Sequence, residues 1–549
     1  MIDLDKAELD LEEIGRQNLA QVHRNLPTPI LYEQSIKNRE GFISHLGPLV
    51  VRTGQYVQRT LDDRFIVRDD DSDEKIWWSG RNKELPSGKF KSIFYRVLAY
   101  LQNKEIYTQE CYIGSASKNP IALRIVTETA WHSLFARNMY TPSDDRQAGR
   151  EFKPDFSIVH VPGFQAIPEM DGTSSSACII LSLKHKLIFI GGTSYAYEIK
   201  DAVFSITNYL VDQQQCLSLR CAANVGPDGD VALFMGRSGT GKTALSTCPG
   251  RTLVGDDHQG WDESGLCSYE RGCYAKISNL SSKDQPMVYE CTRRFGTILE
   301  NVTVDSETRH VHLADSSLTD NTRAAYPLSH ISTAKSDGTC DHPKNIFLLT
   351  QDPFGVLPPV AKLTPEQAYF MFLSSYKPSL SDNEIDQGTQ RVLSNACFGH
   401  TPLVLKPHEY AGLFMNKVKH HGVQCWLMNT GYSGEPHGSD AHVPFRVSRA
   451  IVDAVLTGKL ENVEFHKDPV FQFEIPVTCP GVDDSMLDPR NIARDQGEYE
   501  LRANGLASDF MDDFSQFSQL VPKSVKQMLS NITLLEDSLD ILEQFRITI

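Results

Sequence analysis

The sequence predicts an α/β protein of more than one domain, and three observations carry that prediction. Short apolar runs, CIILSL at 178–183, KLIFIGG at 186–192 and VALFMG at 231–236, alternate with Gly-rich turns, the pattern of strands in an α/β arrangement. The last of these runs leads directly into Gly236-Arg237-Ser238-Gly239-Thr240-Gly241-Lys242-Thr243, which fits GxxxxGK[ST]. The chain is 549 residues long, enough for two or three domains with substantial cores.

The eight-residue motif is the strongest local signal. Its glycines let backbone N–H groups converge on phosphate oxygens, Lys242 adds a point charge toward the β and γ groups, and the Thr243 hydroxyl is a ligand for Mg²⁺. Ala244-Leu245-Ser246 then opens a helix whose positive end faces the nucleotide. A second motif, Thr252-Leu253-Val254-Gly255-Asp256-Asp257, is an apolar strand ending in two carboxylates, as a Walker B element does. Only about ten residues separate it from Lys242, which is close for common P-loop ATPases.

Composition narrows the function classes. With 40% hydrophobic and 23% charged residues the chain has ordinary globular composition, and its formal net charge of -16 gives a field that repels nucleic acid and anionic membrane. No stretch approaches the roughly 18 uncharged apolar residues of a spanning helix. The opening MIDLDKAELDLEEIG is acidic and lacks the basic and apolar segments of a secretory signal, so a cytoplasmic protein is expected. The 12 cysteines include no CxxC pair and read as core thiols.

Elsewhere the patterns are structural. Leu9, Ile14, Leu19 and Val22 recur at loosely helical spacing and predict a surface helix over residues 5–22. The acidic run 69–74 reads as a solvated turn. Near the end, Val525, Met528, Ile532, Leu535, Leu539 and Leu542 form an a/d pattern, which predicts a terminal helix that either docks on the core or mediates self-association. The expected layout is a substrate-side domain at 1–215, a nucleotide-binding domain at 216–520 and a helical extension at 521–549.

With these motifs in place, the sequence resembles the ATP-dependent phosphoenolpyruvate carboxykinases over roughly residues 40–520. The phosphate loop is similar to that family's GxSGTGKTTLS, and Gly255-Asp256-Asp257 with Gly260-Trp261 to its GDDEHGW. Further blocks in order are Phe152-Lys153-Pro154-Asp155-Phe156, Gly272-Cys273-Tyr274-Ala275-Lys276, Leu299-Glu300-Asn301-Val302, Asn321-Thr322-Arg323, Phe354-Gly355-Val356-Leu357-Pro358-Pro359 and Leu487-Asp488-Pro489-Arg490-Asn491. The resemblance implies an N-terminal α/β domain and a C-terminal mononucleotide-binding domain with the active site in the cleft between them. It also implies a reaction that decarboxylates oxaloacetate and phosphorylates the enolate from ATP, with Mg²⁺ on the nucleotide and Mn²⁺ bridging to the substrate.

Carried over by position, Arg59 matches the substrate-binding arginine, Tyr195 the substrate-site tyrosine, and Arg323 the arginine that bridges substrate and γ-phosphate. Lys200 matches the first lysine of the family's GEMKKG, and Glu300 and Ser448 stand at nucleotide-contacting positions. Thr243 and Asp256 match ligands of the nucleotide metal, and Asp257 a ligand of the second metal.

Four segments depart from the family pattern. Asp201 stands where the second, metal-binding lysine of GEMKKG is expected, and Arg220 where HCSANVG supplies a metal-binding histidine. A guanidinium cannot be deprotonated to ligate a metal. Either Arg220 pairs with Asp201 in place of a cation, or Asp201 and Asp257 hold Mg²⁺ through oxygen. The loop TGRSPKDK becomes Val57-Gln58-Arg59-Thr60-Leu61-Asp62-Asp63-Arg64, and near the expected adenine site His442 replaces a stacking arginine.

The intact phosphate loop beside altered metal ligands gives a first reading: ATP-dependent phosphoryl transfer with Mg²⁺ to an acceptor other than oxaloacetate. The alternatives are an active carboxykinase with a rebuilt metal site, for which Mn²⁺ remains an option, and a non-catalytic nucleotide-binding protein. None of the three takes nucleic acid or membrane as a partner.

Overall fold

The computed structural model describes residues 19–532, apart from 70–73, 80–81, 115, 144–151, 211–214, 238, 249, 284, 375–402 and 516. The chain divides into two compact units. The first draws on the residues up to 219 with 253–263 and 267–339, and the second on 220–252, 264–266 and the residues from 340 onward.

In the first unit, the spatial order of the main sheet is Gln21–Arg24, Glu105–Ile113, Ile121–Thr127, Phe156–Val161, Leu187–Gly191, Cys178–Ser182, Arg64–Arg68 and Lys83–Pro86. Two of the predicted strands, at 178–183 and 186–192, are adjacent here and antiparallel, with Ile180 opposite Phe189. Phe90, Ile93, Phe94 and Val97 project at helical spacing from the helix Ser87–Tyr100 into a core with Val67, Val126, Val159 and Phe189.

Residues 21–24 do not continue a helix. Gln21–Arg24 is a strand parallel to Glu105–Thr108, with Leu19 and Val22 packed on the core. Four residues are too few to separate helical from extended spacing, and the long neighbouring strand decides. Leu9 and Ile14 lie outside the described residues, as do most of the acidic run at 69–74.

A second sheet in this unit, Gly272–Lys276, Arg323–Pro327, Ile298–Glu300, Leu49–Val51 and Gly41–Ile43, sets up the site. Its register places Glu300 directly opposite Arg323.

The second unit contains a sheet in the order Leu217–Val225, Val231–Gly236, Pro343–Thr350, Gln424–Asn429, Ala361–Leu363, Glu474–Pro476 and Phe465–Lys467. Val231–Gly236, Pro343–Thr350 and Gln424–Asn429 run parallel and are almost wholly buried apolar strands, as parallel strands covered on both faces should be. The segment after Pro343–Thr350 is folded by one carboxylate. Asp352, fully buried, accepts hydrogen bonds from the N–H groups of Phe354, Val356 and Leu357 at 2.8, 2.6 and 2.7 Å. Its own N–H donates to Asn429 Oδ1. Near the end of the chain the helix Lys523–Leu529 buries Val525 and Leu529, whereas Leu535, Leu539 and Leu542 fall outside the described residues. No helix among the described residues is long and apolar enough to cross a membrane.

Removing the Asp352 carboxylate strands three N–H donors, those of Val356 and Leu357 buried and that of Phe354 half-buried. Asp352→Ala is expected to cost about 3 kcal/mol and to accelerate amide exchange at Phe354, Val356 and Leu357, as read by hydrogen-exchange mass spectrometry. Unchanged exchange there would show that the turn holds without its carboxylate.

Candidate active site

The described residues bring eight of the predicted site residues into the first unit: Arg59, Tyr195, Lys200, Asp201, Asp256, Asp257, Glu300 and Arg323. The helix Tyr197–Tyr209 organises most of them. It is buried over Tyr197–Asn208, so every polar side chain on it needs a partner. Glu198, Asp201 and Ser205 lie at i, i+3 and i+7 and share a face, and Arg64 lies along that face. Its Nη1 is 3.5 Å from both Glu198 Oε2 and Asp201 Oδ2, and its Nη2 donates to Ser205 Oγ at 3.1 Å. Arg59 reaches the same Asp201 oxygen at 3.3 Å, and the Thr60 N–H donates to Glu198 Oε1 at 2.9 Å. The loop that carries Arg59 is thus tied to the helix at both acids. Burial raises the Glu198 carboxyl above its usual range, with Arg64 opposing that rise.

Lys200 faces a different way. Its ammonium lies 3.2 Å from Asp257 Oδ2 and 3.1 Å from Glu270 Oε2, with all three side chains buried or nearly so. Asp256, 3% exposed, is beside Asp257 at the end of the strand Thr252–Gly255.

Three tyrosines form the aromatic part of the cluster. The Tyr197 ring lies 6.2 Å from Tyr195 and 5.6 Å from Tyr274. Arg59, Lys200 and Arg323 stand over the Tyr197 ring at 4.7, 5.6 and 5.8 Å, and Lys200 and Arg323 also over Tyr274 at 6.0 and 5.5 Å. The negative faces of these rings offset part of the cost of gathering three cations in a buried place.

Asn321 links the parts. Its Nδ2 donates to the Val57 carbonyl at 2.7 Å and to Tyr195 Oη at 3.0 Å, while its Oδ1 accepts from Arg323 Nε at 3.0 Å. One amide therefore holds the Arg59 loop, the tyrosine and the arginine in register. Glu300, fully buried opposite Arg323, accepts from Tyr274 Oη at 2.5 Å through Oε2, and its Oε1 has no hydrogen-bond partner. Burial is the main reason its carboxyl is pushed up to about 7, with Tyr274 and Arg323 limiting the rise.

The second unit carries the remaining predicted residues. The phosphate motif is a strand, a loop and the helix Lys242–Ser246. Gly239 and Gly241 take φ of 97° and 93°, a region other residues avoid. Lys242 Nζ donates to the Gly236 carbonyl at 2.7 Å, lying back over its own loop. Gln351 and Thr430 fasten the loop through the carbonyls of Gly239 and Thr240 at 2.9 and 3.1 Å. Thr243 opens the helix beside Lys242, and Ser238 lies outside the described residues. Arg449 donates to the carbonyls of Leu245 and Ala244, the cation-favouring end of that helix. Beside it Ser448 is buried, while the exposed His442 ring meets Tyr432 edge-on at 5.2 Å. Arg220 is buried on the strand Leu217–Val225.

Sequence reasoning named the ends of this network and missed its connectors. Arg64, Glu270, Tyr197 and the roles of Glu198 and Asn321 were not assigned. The i, i+3, i+7 acids and hydroxyl of Tyr197–Tyr209 were a usable signal for a facing cation. Nothing local marked Glu270, which is 70 residues away from Lys200 in the chain.

These residues permit a test of the two expected metals. Thr243, in the second unit, and Asp256, in the first, are each an oxygen donor of the kind a hard divalent cation takes, and each suits Mg²⁺ by its donor chemistry. The second ion does not fit. Asp257 is occupied by an ammonium and Asp201 by two guanidiniums, and a divalent ion about 4 Å from one such charge is repelled by roughly 8 kcal/mol at an effective dielectric constant of 20. Among the described residues, no group of three or more His, Cys, Asp and Glu side chains is placed to hold a metal.

Comparisons with known proteins agree with the fold and the motifs. The family model described as phosphoenolpyruvate carboxykinase, of the ATP type, matches residues 20–485. A phosphoenolpyruvate carboxykinase (ATP) of Geobacter metallireducens is 45% identical over 520 residues, covering 94% of this chain and 98% of its own. One from Thermus thermophilus is 41% identical over 522 residues, with 94% and 98% covered. One from Caldanaerobacter subterraneus is 42% identical over 512 residues, with 93% and 98% covered.

Because Glu300 is protonated more readily in the fold than in the unfolded chain, where its value is near 4.5, the unfolded state binds fewer protons between about pH 4.5 and 7. Stability from this group is therefore present at low pH and is lost as pH rises through that window. Glu300→Gln is expected to remove this component, so the wild type should lose melting temperature relative to the variant between pH 5 and 7. Parallel pH profiles would contradict the raised value.

Proposed function

The chain belongs to the ATP-dependent phosphoenolpyruvate carboxykinase family, and from that premise we propose that it converts oxaloacetate and ATP to phosphoenolpyruvate, CO₂ and ADP. The observation that carries the proposal is that Asn321 joins Tyr195, Arg323 and, through the Val57 carbonyl, the loop that carries Arg59. Arg59, Tyr195 and Arg323 are three residues that the family resemblance assigns to substrate and phosphoryl contacts. The relatives' name, phosphoenolpyruvate carboxykinase (ATP), favours the carboxykinase reaction over transfer to another acceptor.

The chemistry is mainly electrostatic. Breaking the C–C bond to the leaving carboxylate puts its electron pair into an enolate, whose oxygen attacks the γ-phosphorus as ADP departs. Two dianionic partners must be brought together and the new oxyanion stabilised. Arg59 and Arg323 orient the carboxylates, and Tyr195, held by Asn321, offers its hydroxyl at the substrate. Tyr197 and Tyr274 keep the guanidiniums in a dry, weakly competing setting. In the second unit, loop N–H groups from Gly236 to Thr243 and the Lys242 ammonium receive the phosphates, with His442 and Ser448 on the base side. Thr243 would hold a Mg²⁺ on the nucleotide, and the resemblance gives Asp256 the same role; bound there, the ion would supply charge neutralisation.

A second reading, phosphoryl transfer to another acceptor, is favoured by one observation: the Arg59 guanidinium is already engaged by Asp201. Release of ADP from Mg²⁺–ATP with and without oxaloacetate separates the two. Oxaloacetate-dependent ADP and phosphoenolpyruvate are expected, and Lys242→Ala and Arg323→Gln should each lower the rate roughly 10²–10³-fold. ADP release indifferent to oxaloacetate would transfer the argument to the second reading. Asn321→Asp, which loses the two donated bonds, should raise KM for oxaloacetate more than it lowers kcat.

A further inference from the structure

Asp201, which departs from the family pattern, is held within a set of buried charges. Asp201 Oδ2 lies within 3.5 Å of both Arg59 and Arg64, and the Asp201 side chain is fully buried. Asp257 Oδ2 and Glu270 Oε2 both lie within 3.2 Å of Lys200 Nζ. Each acid that would have to ligate a second divalent ion is therefore already neutralised by a side-chain cation. The remaining position, Arg220, carries a group that cannot be a ligand at all.

We propose that in this chain the second divalent cation has been replaced by protein cations, with Lys200 on Asp257 and Glu270, and Arg59 with Arg64 on Asp201, so that a small dicarboxylate binds without a metal bridge. An aspartate at position 201 has a reason under this proposal. Arg59 and Arg64 lie against the same stretch of the buried helix Tyr197–Tyr209, and one Asp201 oxygen shared between them offsets their mutual repulsion while aiming the two guanidiniums. The side-chain cations differ from an ion in one functional respect. They are present at all metal concentrations, so affinity for the dianion is insensitive to chelators. The proposal rests on the carboxykinase reading only for the choice of a dicarboxylate as substrate class.

The test uses the full chain without nucleotide and two readouts. Mn²⁺ titrated into the protein is followed by electron paramagnetic resonance, and oxalate, a planar dianion, is titrated calorimetrically with excess EDTA or with Mn²⁺. The expected results are no Mn²⁺ site tighter than about 1 mM and oxalate affinities that agree within about twofold in the two conditions. A stoichiometric Mn²⁺ site that Asp201→Asn or Asp257→Asn abolishes would overturn the proposal. So would oxalate binding that EDTA removes, or no oxalate binding in either condition, since the side-chain cations are held to suffice. Turnover of oxaloacetate with Mg²⁺–ATP is measured separately. Its absence beside metal-free oxalate binding would remove the proposed function and leave the replaced cation standing.

Discussion

Burial of charge is the constraint on which the first unit depends. Arg64, Glu198, Lys200, Asp201, Glu270, Glu300 and Arg323 are all nearly or fully excluded from water, and an uncompensated charge in that setting costs several kcal/mol. The unit meets this cost by pairing rather than by solvation, except at Glu300, where burial favours keeping the proton. The helix Tyr197–Tyr209 gives its acidic face to two guanidiniums, sends Lys200 to two further carboxylates, and begins with an aromatic ring that three cations share. A substrate anion entering such a place meets donors already fixed in position, which is the condition under which electrostatic stabilisation is strongest.

The two units solve different problems. In the second, an apolar parallel sheet holds a glycine-rich loop whose own backbone is the proposed binding element; Gln351 and Thr430 fasten that loop, and Arg449 bonds the end of the helix that follows it. In the first, the proposed binding elements are side chains, and their positions come from cross-strand register and from one amide, Asn321. Backbone recognition tolerates drift in neighbouring side chains, which is consistent with the phosphate motif being kept while the residues around Asp201 have changed.

Much of this was legible in the sequence because the informative signals were local. A strand run followed by GRSGTGKT has one well-understood geometry, and the strands at 178–183, 186–192 and 231–236 fall where alternating apolar runs put them. Arg59, Tyr195, Glu300 and Arg323 were recognisable from their flanking blocks. The partners of those residues were not, because Lys200 meets Glu270 and Asn321 meets Val57 across long stretches of chain that no periodicity connects. Residues 21 and 22 were read as the end of a helix for the same reason: the conformation of Gln21–Arg24 is set by Glu105–Ile113, not by its own four residues. The substitution of Asp201 was visible as a departure, but its meaning depended on Arg64, whose side chain only the fold brings to it.

The central claim is that protein cations stand where a second metal ion would. Crystals grown with Mn²⁺, ATP and oxalate, measured at the Mn absorption edge, test it most directly. The account predicts one anomalous peak, on the nucleotide beside Thr243, with Lys200 still between Asp257 and Glu270. A second peak ligated by Asp201 or Asp257, with Lys200 or Arg59 displaced, would contradict it.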